Sequence, residues 1–295
     1  MNTATSEHNK KAFLVIGNYG NDNIGDETIL KGLVLDLIGQ HGRQIKVLVL
    51  TRSPSFVATY HPEFADVLSA VPVSGIAAIL RSSLNAHEIV VGGGGIWSYY
   101  TGPFAKLILI YTLALRCAFK RISIRRVGIY RTASAWQKFL FNLNCIVLSN
   151  VSVRDPESRG IVWPWLRRKV KLKQDYAFDY LQQLDEVRPA KTSRDPLLTG
   201  IKEQVNSPNV SLLTSKSCAE IYHSIQRTDF FIGMRYHSML FSIIAERPLL
   251  AIPYENKCRN LTRTYARCVV LEPEAGVADD LAFKGNLLLA YGAAD

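Results

Sequence analysis

The chain lacks the features that would mark a secreted, membrane-spanning or metal-binding protein. Its five cysteines are scattered, with no C-x-x-C pair or other metal-ligand spacing, so we expect reduced thiols in a cytoplasm and no metal site. Residues 1–11 are polar, which argues against a signal peptide there and predicts a disordered tail. The longest apolar stretch, residues 104–119, is interrupted by Lys106 and Arg116 and falls short of the roughly 20 residues that span a bilayer. It predicts a buried helix.

Acidic residues are scarce in the middle of the chain. Residues 116–173 contain 14 Lys and Arg against Asp155 and Glu157, a local balance of 14 − 2 = +12 in a chain of net charge +10. Aromatic side chains beside cations suit an anionic membrane surface, and no recognised nucleic-acid motif occurs. Two interpretations remain open: a solvated basic face, or peripheral contact with an anionic membrane, on the inner face of the cell membrane. The interleaved aromatic residues are Trp136, Phe139, Phe141, Trp163 and Trp165.

Hydrophobic content of 48% and charged content of 20% are ordinary for a globular protein, and 295 residues suggest two lobes. Short β-rich runs alternate with helical patterns, which predicts an α/β fold with parallel strands and helices on both faces of the sheet. We predict an N-terminal lobe over 12–180, an irregular linker over 181–208 and a C-terminal lobe over 209–295. Strands are predicted at 13–16, 45–50, 89–91, 124–129, 151–153, 170–173, 210–213, 230–232 and 249–252, and helices around 29–38, 104–119, 136–143, 237–245 and 256–268.

Glycines and polar residues fill the segment between the first predicted strand and the first predicted helix. Glycines at this position let backbone N–H groups approach an anion, but the spacing is neither a P-loop nor G-x-G-x-x-G. Asp26 and Glu27 would repel a phosphate and suit sugar hydroxyls or the helix N-terminus. A structural turn and a ligand site both remain open. The candidate contacts are Asn18, Tyr19, Gly20, Asn23, Gly25, Asp26 and Glu27.

Four successive glycines follow the predicted strand 89–91. A run without side chains costs conformational entropy, so something must approach the backbone closely there, either a ligand or another part of the chain. A flexible surface loop is the alternative, although such loops seldom follow a buried β-branched triplet. We therefore favour a ligand-facing turn at Gly92, Gly93, Gly94 and Gly95.

An arginine and a histidine lie two residues apart where the predicted strand 230–232 gives way to a helix. The guanidinium of Arg235 can direct two N–H donors at a carboxylate or phosphate. His237 titrates near neutrality, which suits proton transfer, although a histidine beside a helix is often structural. The carboxyl ends of parallel strands are where open α/β sheets bind ligands, so this pair is the leading catalytic candidate.

These segments, taken in order from Asn18 to Lys257, resemble the polysaccharide pyruvyl transferase family. The segment from Asn18 to Glu27 resembles the opening loop of the family, and Gly92 to Gly95 resembles its glycine run. The more specific matches are Val153-Arg154-Asp155 with Ser158 for V-R-D-x-x-S, Asp175-Tyr176-Ala177-Phe178 for D-P-A-F, Ile232-Gly233-Met234-Arg235-Tyr236-His237 for G-M-R-x-H, and Tyr254 with Lys257 for the stretch downstream.

The resemblance implies two doubly wound, Rossmann-like lobes similar to GT-B glycosyltransferases. It further implies phosphoenolpyruvate as a co-substrate, no other cofactor, and a saccharide acceptor, which can be lipid-linked, that becomes a pyruvate ketal in cell-surface polysaccharide biosynthesis. By position, Arg235 would hold the donor's carboxylate or phosphate and His237 would act as acid or base. Arg154 would be a second anion contact, and Tyr254 and Lys257 would line the substrate site.

Two departures from the family pattern stand out. Residues 181–208 are too short and too polar for the strands and helix that usually follow the D-x-A-F element, which predicts a reduced C-terminal lobe. Residues 128–133 replace the family's G-x-G-[IV]-G-P loop. Two other functions therefore remain open: a glycosyltransferase that uses a nucleotide sugar, and a non-catalytic relative with an incomplete site.

Overall fold

A seven-stranded parallel sheet organises the first part of the chain. The computed structural model describes residues 10–74, 76–95, 102–118, 120–129, 133–184, 217–253, 256–263 and 265–271. The chain divides into two compact units, Met1–Tyr180 and Leu181–Asp295. The strands of this sheet are β1 (Lys11–Ile16), β2 (Ile45–Thr51), β3 (Leu68–Pro72), β4 (Glu88–Gly92), β5 (Ile122–Val127), β6 (Asn150–Val153) and β7 (Lys171–Leu172). Their order across the sheet is β3-β2-β1-β4-β5-β6-β7, and all neighbours are parallel.

The helices of the first unit begin at residues suited to capping. Asn23 caps the first helix by accepting a hydrogen bond from the Gly25 N–H, and Asp26 and Glu27 follow in the first turn. Ser134 and Gln137 form a reciprocal capping box at the start of α5. These helices are α1 (Ile24–His41), α2 (Pro54–Tyr60), α3 (Ile76–Asn85), α4 (Gly102–Cys117), α5 (Ala135–Val147), α6 (Pro156–Ile161) and α7 (Tyr176–Leu184), with 3-10 turns at Pro62–Phe64 and Pro164–Leu166.

The two faces of the sheet are covered by different helices. Leu14 and Ile16 of β1 belong to a hydrophobic cluster that also contains residues of α4 and α5, with α3 residues packed against it. Phe13 points to the opposite face, where its ring stacks on His41 of α1 with the ring centroids 4.8 Å apart. The central strands are therefore buried on both faces, which is why β1 and β4 are almost wholly apolar.

The second unit contains a smaller parallel sheet with the order β10-β9-β8 among the described residues. Gly233 ends β8, and a Cβ there would lie 2.9 Å from Met239 Cγ, so the glycine lets the following helix pack closely on the strand. The elements of this unit are α8 (Cys218–Gln226), β8 (Phe231–Gly233), α9 (Tyr236–Ile244), β9 (Leu249–Ala251), α10 (Asn256–Thr262) and β10 (Cys268–Val270).

The predicted fold class, α/β with parallel sheets, is confirmed, but several elements differ from the prediction. The sequence patterns missed β3, α2, α3, α6 and α7 entirely. The helix predicted over 256–268 ends at Thr262, and Cys268 begins the edge strand β10 instead. Strand β1 begins at Lys11, and α7 continues to Leu184, so the first four residues of the predicted linker are helical.

Some predictions fall outside the described residues. The strand predicted at 210–213 and the rest of the linker belong to this group, as does most of the N-terminal tail. Across the described residues, no helix is both long and apolar enough to cross a membrane. The apolar run after residue 103 forms α4, as predicted, but the helix is buried on one side only. It packs on the sheet through Ile108, Leu109 and Leu115 and exposes Leu107 and Ile110.

Candidate functional site

The strand order of the large sheet reverses between β1 and β4, and the two loops that leave these strands meet there. Open α/β sheets bind ligands at such a reversal, beside the carboxyl ends of the strands. The hydroxyl of Tyr19, in the loop after β1, donates a hydrogen bond to the carbonyl of Gly92 at the end of β4. Burial raises the pKa of Tyr19 well above its ordinary value, so this hydroxyl stays protonated and remains a donor. The structure thus brings together two segments that the sequence singled out separately.

Asp26 is a buried acid at this edge of the sheet. The residue is 7% exposed, and the amides of Asn18 and Asn23 each donate a hydrogen bond of 2.8 Å to its Oδ2 atom. Burial raises the pKa of Asp26 to about 6, an effect that the Asn18 hydrogen bond and the charge of Arg154 partly oppose. A carboxyl group with a pKa near 6 can exchange a proton near neutral pH, as general acids and bases do.

Glu27 follows Asp26 in the chain, and both of its carboxylate oxygens have partners within the protein. One of its oxygens accepts a hydrogen bond of 2.7 Å from the Gly20 N–H, and the other lies 2.7 Å from Nε2 of His61. Both side chains of the Glu27–His61 pair are fully buried. Gly20 has a φ of 78°, which only glycine adopts at low cost, and the Thr51 hydroxyl donates to the Tyr19 carbonyl beside it. Glu27 is therefore placed to shape the loop rather than to meet a ligand.

The glycine run after β4 is required mainly by helix α1. A Cβ at Gly92 would lie 2.6 Å from Leu33 Cδ1, and a Cβ at Gly93 would overlap Ile29. Gly93 and Gly94 have φ values of 70° and 72°, which disfavour any side chain. Gly94 differs from the first two because a Cβ there would have Oδ1 of Asp26 as its nearest neighbour, at 3.1 Å. Close approach of the chain itself thus explains Gly92 and Gly93, whereas Gly94 borders the buried acid.

Arg154 and Asp175 form a buried ion pair next to this edge. Their Nη1 and Oδ2 atoms are 2.6 Å apart, and both side chains are almost fully buried. Asp155 caps α6 by accepting a hydrogen bond of 2.6 Å from the Ser158 N–H, and the Ser158 hydroxyl accepts another from the N–H of Ile129. The pair therefore ties β6 to the start of α7, and Arg154 is bound by the protein's own carboxylate.

Gly128 also lies at this edge, although the sequence marked it only as the start of the segment that departs from the family's loop. Its N–H donates a hydrogen bond of 2.9 Å to the Gly94 carbonyl, and a Cβ there would lie 2.7 Å from Nε of Arg154. Gly128 thus connects the glycine run to the buried arginine. His61 was missed as well, because it lies far from any motif and only its pairing with Glu27 gives it a role.

The second unit places Arg235 and His237 at the junction of β8 and α9, as the sequence predicted. Arg235 is the N-cap residue of α9, and its side chain is exposed without a hydrogen bond or ion pair to any described residue. His237 is half-buried in the first turn, its ring packed edge-on against Tyr236 with the centroids 5.3 Å apart. Tyr254 and the Lys257 side chain lie outside the described residues, so their predicted part in the site stays a prediction.

A family model described as polysaccharide pyruvyl transferase matches residues 23–256, which is most of the chain and includes Asp26, Arg154, Asp175, Arg235 and His237. The chain belongs to the polysaccharide pyruvyl transferase family. This membership supports a role as a transferase in polysaccharide biosynthesis. No curated protein matched the chain.

Two solved structures share the fold of this pyruvyl transferase family member. The UDP-GlcNAc 2-epimerase from Methanocaldococcus jannaschii has a TM-score of 0.58 and 9% sequence identity, over 95% of this chain and 93% of that one. A putative UDP-N-acetylglucosamine 2-epimerase from Listeria monocytogenes has a TM-score of 0.57 and 10% identity, over 96% of this chain and 88% of that one. At such low identity the likeness shows the fold alone, and it confirms the predicted GT-B-like class.

Proposed function

We propose that this protein transfers the pyruvyl group of phosphoenolpyruvate to a saccharide diol, forming a pyruvate ketal during cell-surface polysaccharide biosynthesis. The observation that carries the proposal is the family match, because it spans the G-M-R-x-H segment with Arg235 exposed at the start of α9. A planar guanidinium beside a helix N-terminus suits an anionic donor. The acceptor can be a free or a lipid-linked sugar, since both present the same pair of hydroxyl groups.

The reaction balances without a redox cofactor. One sugar hydroxyl adds to C2 of phosphoenolpyruvate while the CH2 carbon takes a proton and becomes a methyl group. The C2–O bond to phosphate then breaks, phosphate leaves, and the second hydroxyl forms the other C–O bond of the ketal. The two hydroxyl protons go to the methyl carbon and to phosphate. The protein must therefore bind a dense negative charge and move a proton.

Arg235 and His237 divide these tasks in our proposal. Arg235 binds the donor carboxylate or phosphate, since its exposed side chain has no competing partner among the described residues. His237 moves the proton at the enol carbon or the attacking hydroxyl. Asn18 and Asp26, at the reversal point of the large sheet, are proposed to bind sugar hydroxyl groups. Arg154 acts on this edge indirectly, because Asp175 already occupies its guanidinium.

The direct test incubates the purified protein with phosphoenolpyruvate and lipid-linked or nitrophenyl sugars. Mass spectrometry should find a product heavier by one pyruvate minus one water, together with released phosphate. A product formed only from a nucleotide sugar, with release of nucleotide, would favour the glycosyltransferase alternative. Absence of any product with a broad acceptor set would favour the non-catalytic alternative.

Two variants test the assigned roles. Arg235→Lys keeps the charge but loses the planar donor pair, so donor affinity should fall about ten- to a hundredfold, the equivalent of about 1.5–3 kcal/mol. His237→Ala should leave donor binding nearly intact and lower turnover roughly 10²–10⁴-fold. Arg263→Lys, an exposed arginine at the end of α10, is the matched control and should change neither quantity. Wild-type turnover by His237→Ala at saturating donor would show that this histidine is structural.

A further inference from the structure

The outer surface of one helical layer of the first unit is unusually apolar. Helices α3, α4 and α5 lie side by side: the Ser83 hydroxyl is hydrogen-bonded to that of Tyr111, and the Thr112 hydroxyl donates to Asn144 over 2.6 Å. Of the ten large hydrophobic side chains exposed on the described part of this unit, nine belong to this layer and its adjacent 3-10 turn. They are Leu80, Leu84, Leu107, Ile110, Trp136, Phe139, Ile146, Val147 and Trp165, and the tenth is Leu172 of β7.

Four aromatic rings form a continuous row on this layer. The ring centroids of Trp136 and Phe139 are 5.4 Å apart, those of Phe139 and Trp163 are 6.1 Å apart, and those of Trp163 and Trp165 are 5.9 Å apart. The row is accessible at both ends, since Trp136 is 50% exposed and Trp165 is 66% exposed. The Trp163 N–H donates a hydrogen bond of 2.8 Å to Asn142, which fixes the turn against α5. The position of the row is therefore fixed by packing between the rings and by the hydrogen bond to α5.

Negative charge is absent from the same layer. Helices α3, α4 and α5 and the 3-10 turn Pro164–Leu166 contain no Asp or Glu. Of the neighbouring acids in the chain, Glu88 is paired with Arg125 at 2.8 Å, and Asp155 and Glu157 lie at the start of α6. The layer thus combines exposed apolar side chains with cations and has no free carboxylate of its own among the described residues.

The structure also shows which cations of the basic stretch 116–173 face outward. Three arginines form ion pairs within the protein, so they add little positive charge to the surface. The pairs are Arg125–Glu88, Arg126–Asp179 and Arg154–Asp175. The exposed cations of this stretch include Arg116, Arg167, Arg168 and Lys169, and also Lys171 and Lys173 on and just after β7. Two of them lie at the C-terminal end of α5, since Arg116 donates to the Val147 carbonyl and Lys169 to the Ile146 carbonyl.

We propose that the outer surface of α3–α5, with the aromatic row and its flanking cations, docks the protein on an anionic lipid bilayer. Tryptophan rings settle at the headgroup level of a membrane, and cations beside them are attracted by acidic lipids. A second copy of the chain fits this surface poorly, because a symmetric contact would bring cations against cations without acids to pair them. Docking here would hold the enzyme where lipid-carried sugars are found, whichever acceptor it uses.

Vesicle co-sedimentation tests the proposal on the full-length chain. The protein should bind vesicles of phosphatidylglycerol and phosphatidylcholine, should not bind pure phosphatidylcholine, and should bind more weakly as salt rises. The double variant Trp136→Ser, Trp165→Ser should weaken partitioning about tenfold or more, since two exposed aromatic surfaces are lost. Ile232→Ser, at an apolar side chain of the second unit that is 46% exposed, is the control and should bind as wild type does.

Separate experiments test whether the surface cations are needed for binding and how deeply the tryptophan rings enter the bilayer. Arg168→Glu with Lys171→Glu should abolish the preference for anionic vesicles, whereas Lys46→Glu, exposed on β2, should not. Tryptophan fluorescence should be quenched by lipids brominated near the headgroup, and circular dichroism should show each variant to be folded. Equal binding to both vesicle types, binding to neither, or unchanged binding by the tryptophan variant would overturn the proposal. So would lipid-free dimerisation that the tryptophan variant abolishes, because the surface would then be a contact between copies.

Discussion

Replacing Asp26 with asparagine should change how the stability of the protein depends on pH. Burial raises the pKa of Asp26 from an ordinary value of 3.8 to about 6. The folded protein therefore holds a proton that the unfolded chain releases between about pH 4 and pH 6. Stability contributed by this group is complete below pH 3.8, falls as the pH rises, and reaches its minimum above pH 6.

The size of the effect follows from the two pKa values. Each pH unit between them corresponds to about 1.4 kcal/mol, so ionised Asp26 costs the folded state about 3 kcal/mol at pH 7. About 1.3 kcal/mol of this cost develops between pH 5 and pH 7. Asp26→Asn carries no charge at any pH and keeps an oxygen that can accept hydrogen bonds from Asn18 and Asn23. Relative to the wild type, the variant should therefore gain about 1.3 kcal/mol over that interval.

Urea unfolding at pH 5 and pH 7, followed by circular dichroism, measures this difference directly. Asp66→Asn is a suitable control, because Arg43 lowers the pKa of Asp66 at the surface and the variant should show no such gain. The reasoning would be refuted if the wild type and Asp26→Asn changed in parallel between the two pH values. Asp26 would then be ionised without cost, and its burial would be offset by a partner.

Three further predictions concern charge and packing in the first unit. Asp175→Asn leaves the buried guanidinium of Arg154 without its main carboxylate, so the free energy of unfolding should fall by about 3 kcal/mol; an unchanged urea midpoint would show that the pair is not needed. Gly93→Ala should destabilise the protein by roughly 1 kcal/mol or more, because φ is 70° and its Cβ would overlap Ile29. Gly39→Ala, in α1 with open space around it, should instead raise the melting temperature, with a gain of about 0.5–1 kcal/mol.

The sequence predicted the elements that form the middle of the large sheet, because strands buried on both faces are apolar throughout. Strand β3 was missed for the opposite reason: Leu68–Pro72 form an edge strand in which only Val71 is buried, and they include Ser69 and Pro72. Strand β10 has three residues and follows a short helix, so the pattern over 256–268 suggested one longer helix. Short edge elements depend on tertiary pairing, which a local pattern does not contain.

The sequence predicted which segments form the candidate site, but it predicted the roles of individual residues less well. The proximity of the loop after β1 to the glycine run follows from parallel topology, and the Tyr19–Gly92 hydrogen bond is an instance of it. What the sequence could not show was which groups already have partners. Arg154 looked like a free anion contact until the structure placed Asp175 beside it, and Glu27 looked accessible until His61 was found against it. Both partners are distant in the chain.

Because β1 lies in the middle of the sheet, one side of this strand stays unpaired during part of the synthesis of the chain. β1 pairs with β2 on one side as soon as Ile45–Thr51 has emerged from the ribosome, but its other side waits for β4, Glu88–Gly92. Until then the run Phe13–Ile16 presents unpaired backbone groups on an apolar strand, which is a template for misassembly with other chains. The period in which residues 52–92 emerge from the ribosome is therefore when a ribosome-associated chaperone has the most to protect.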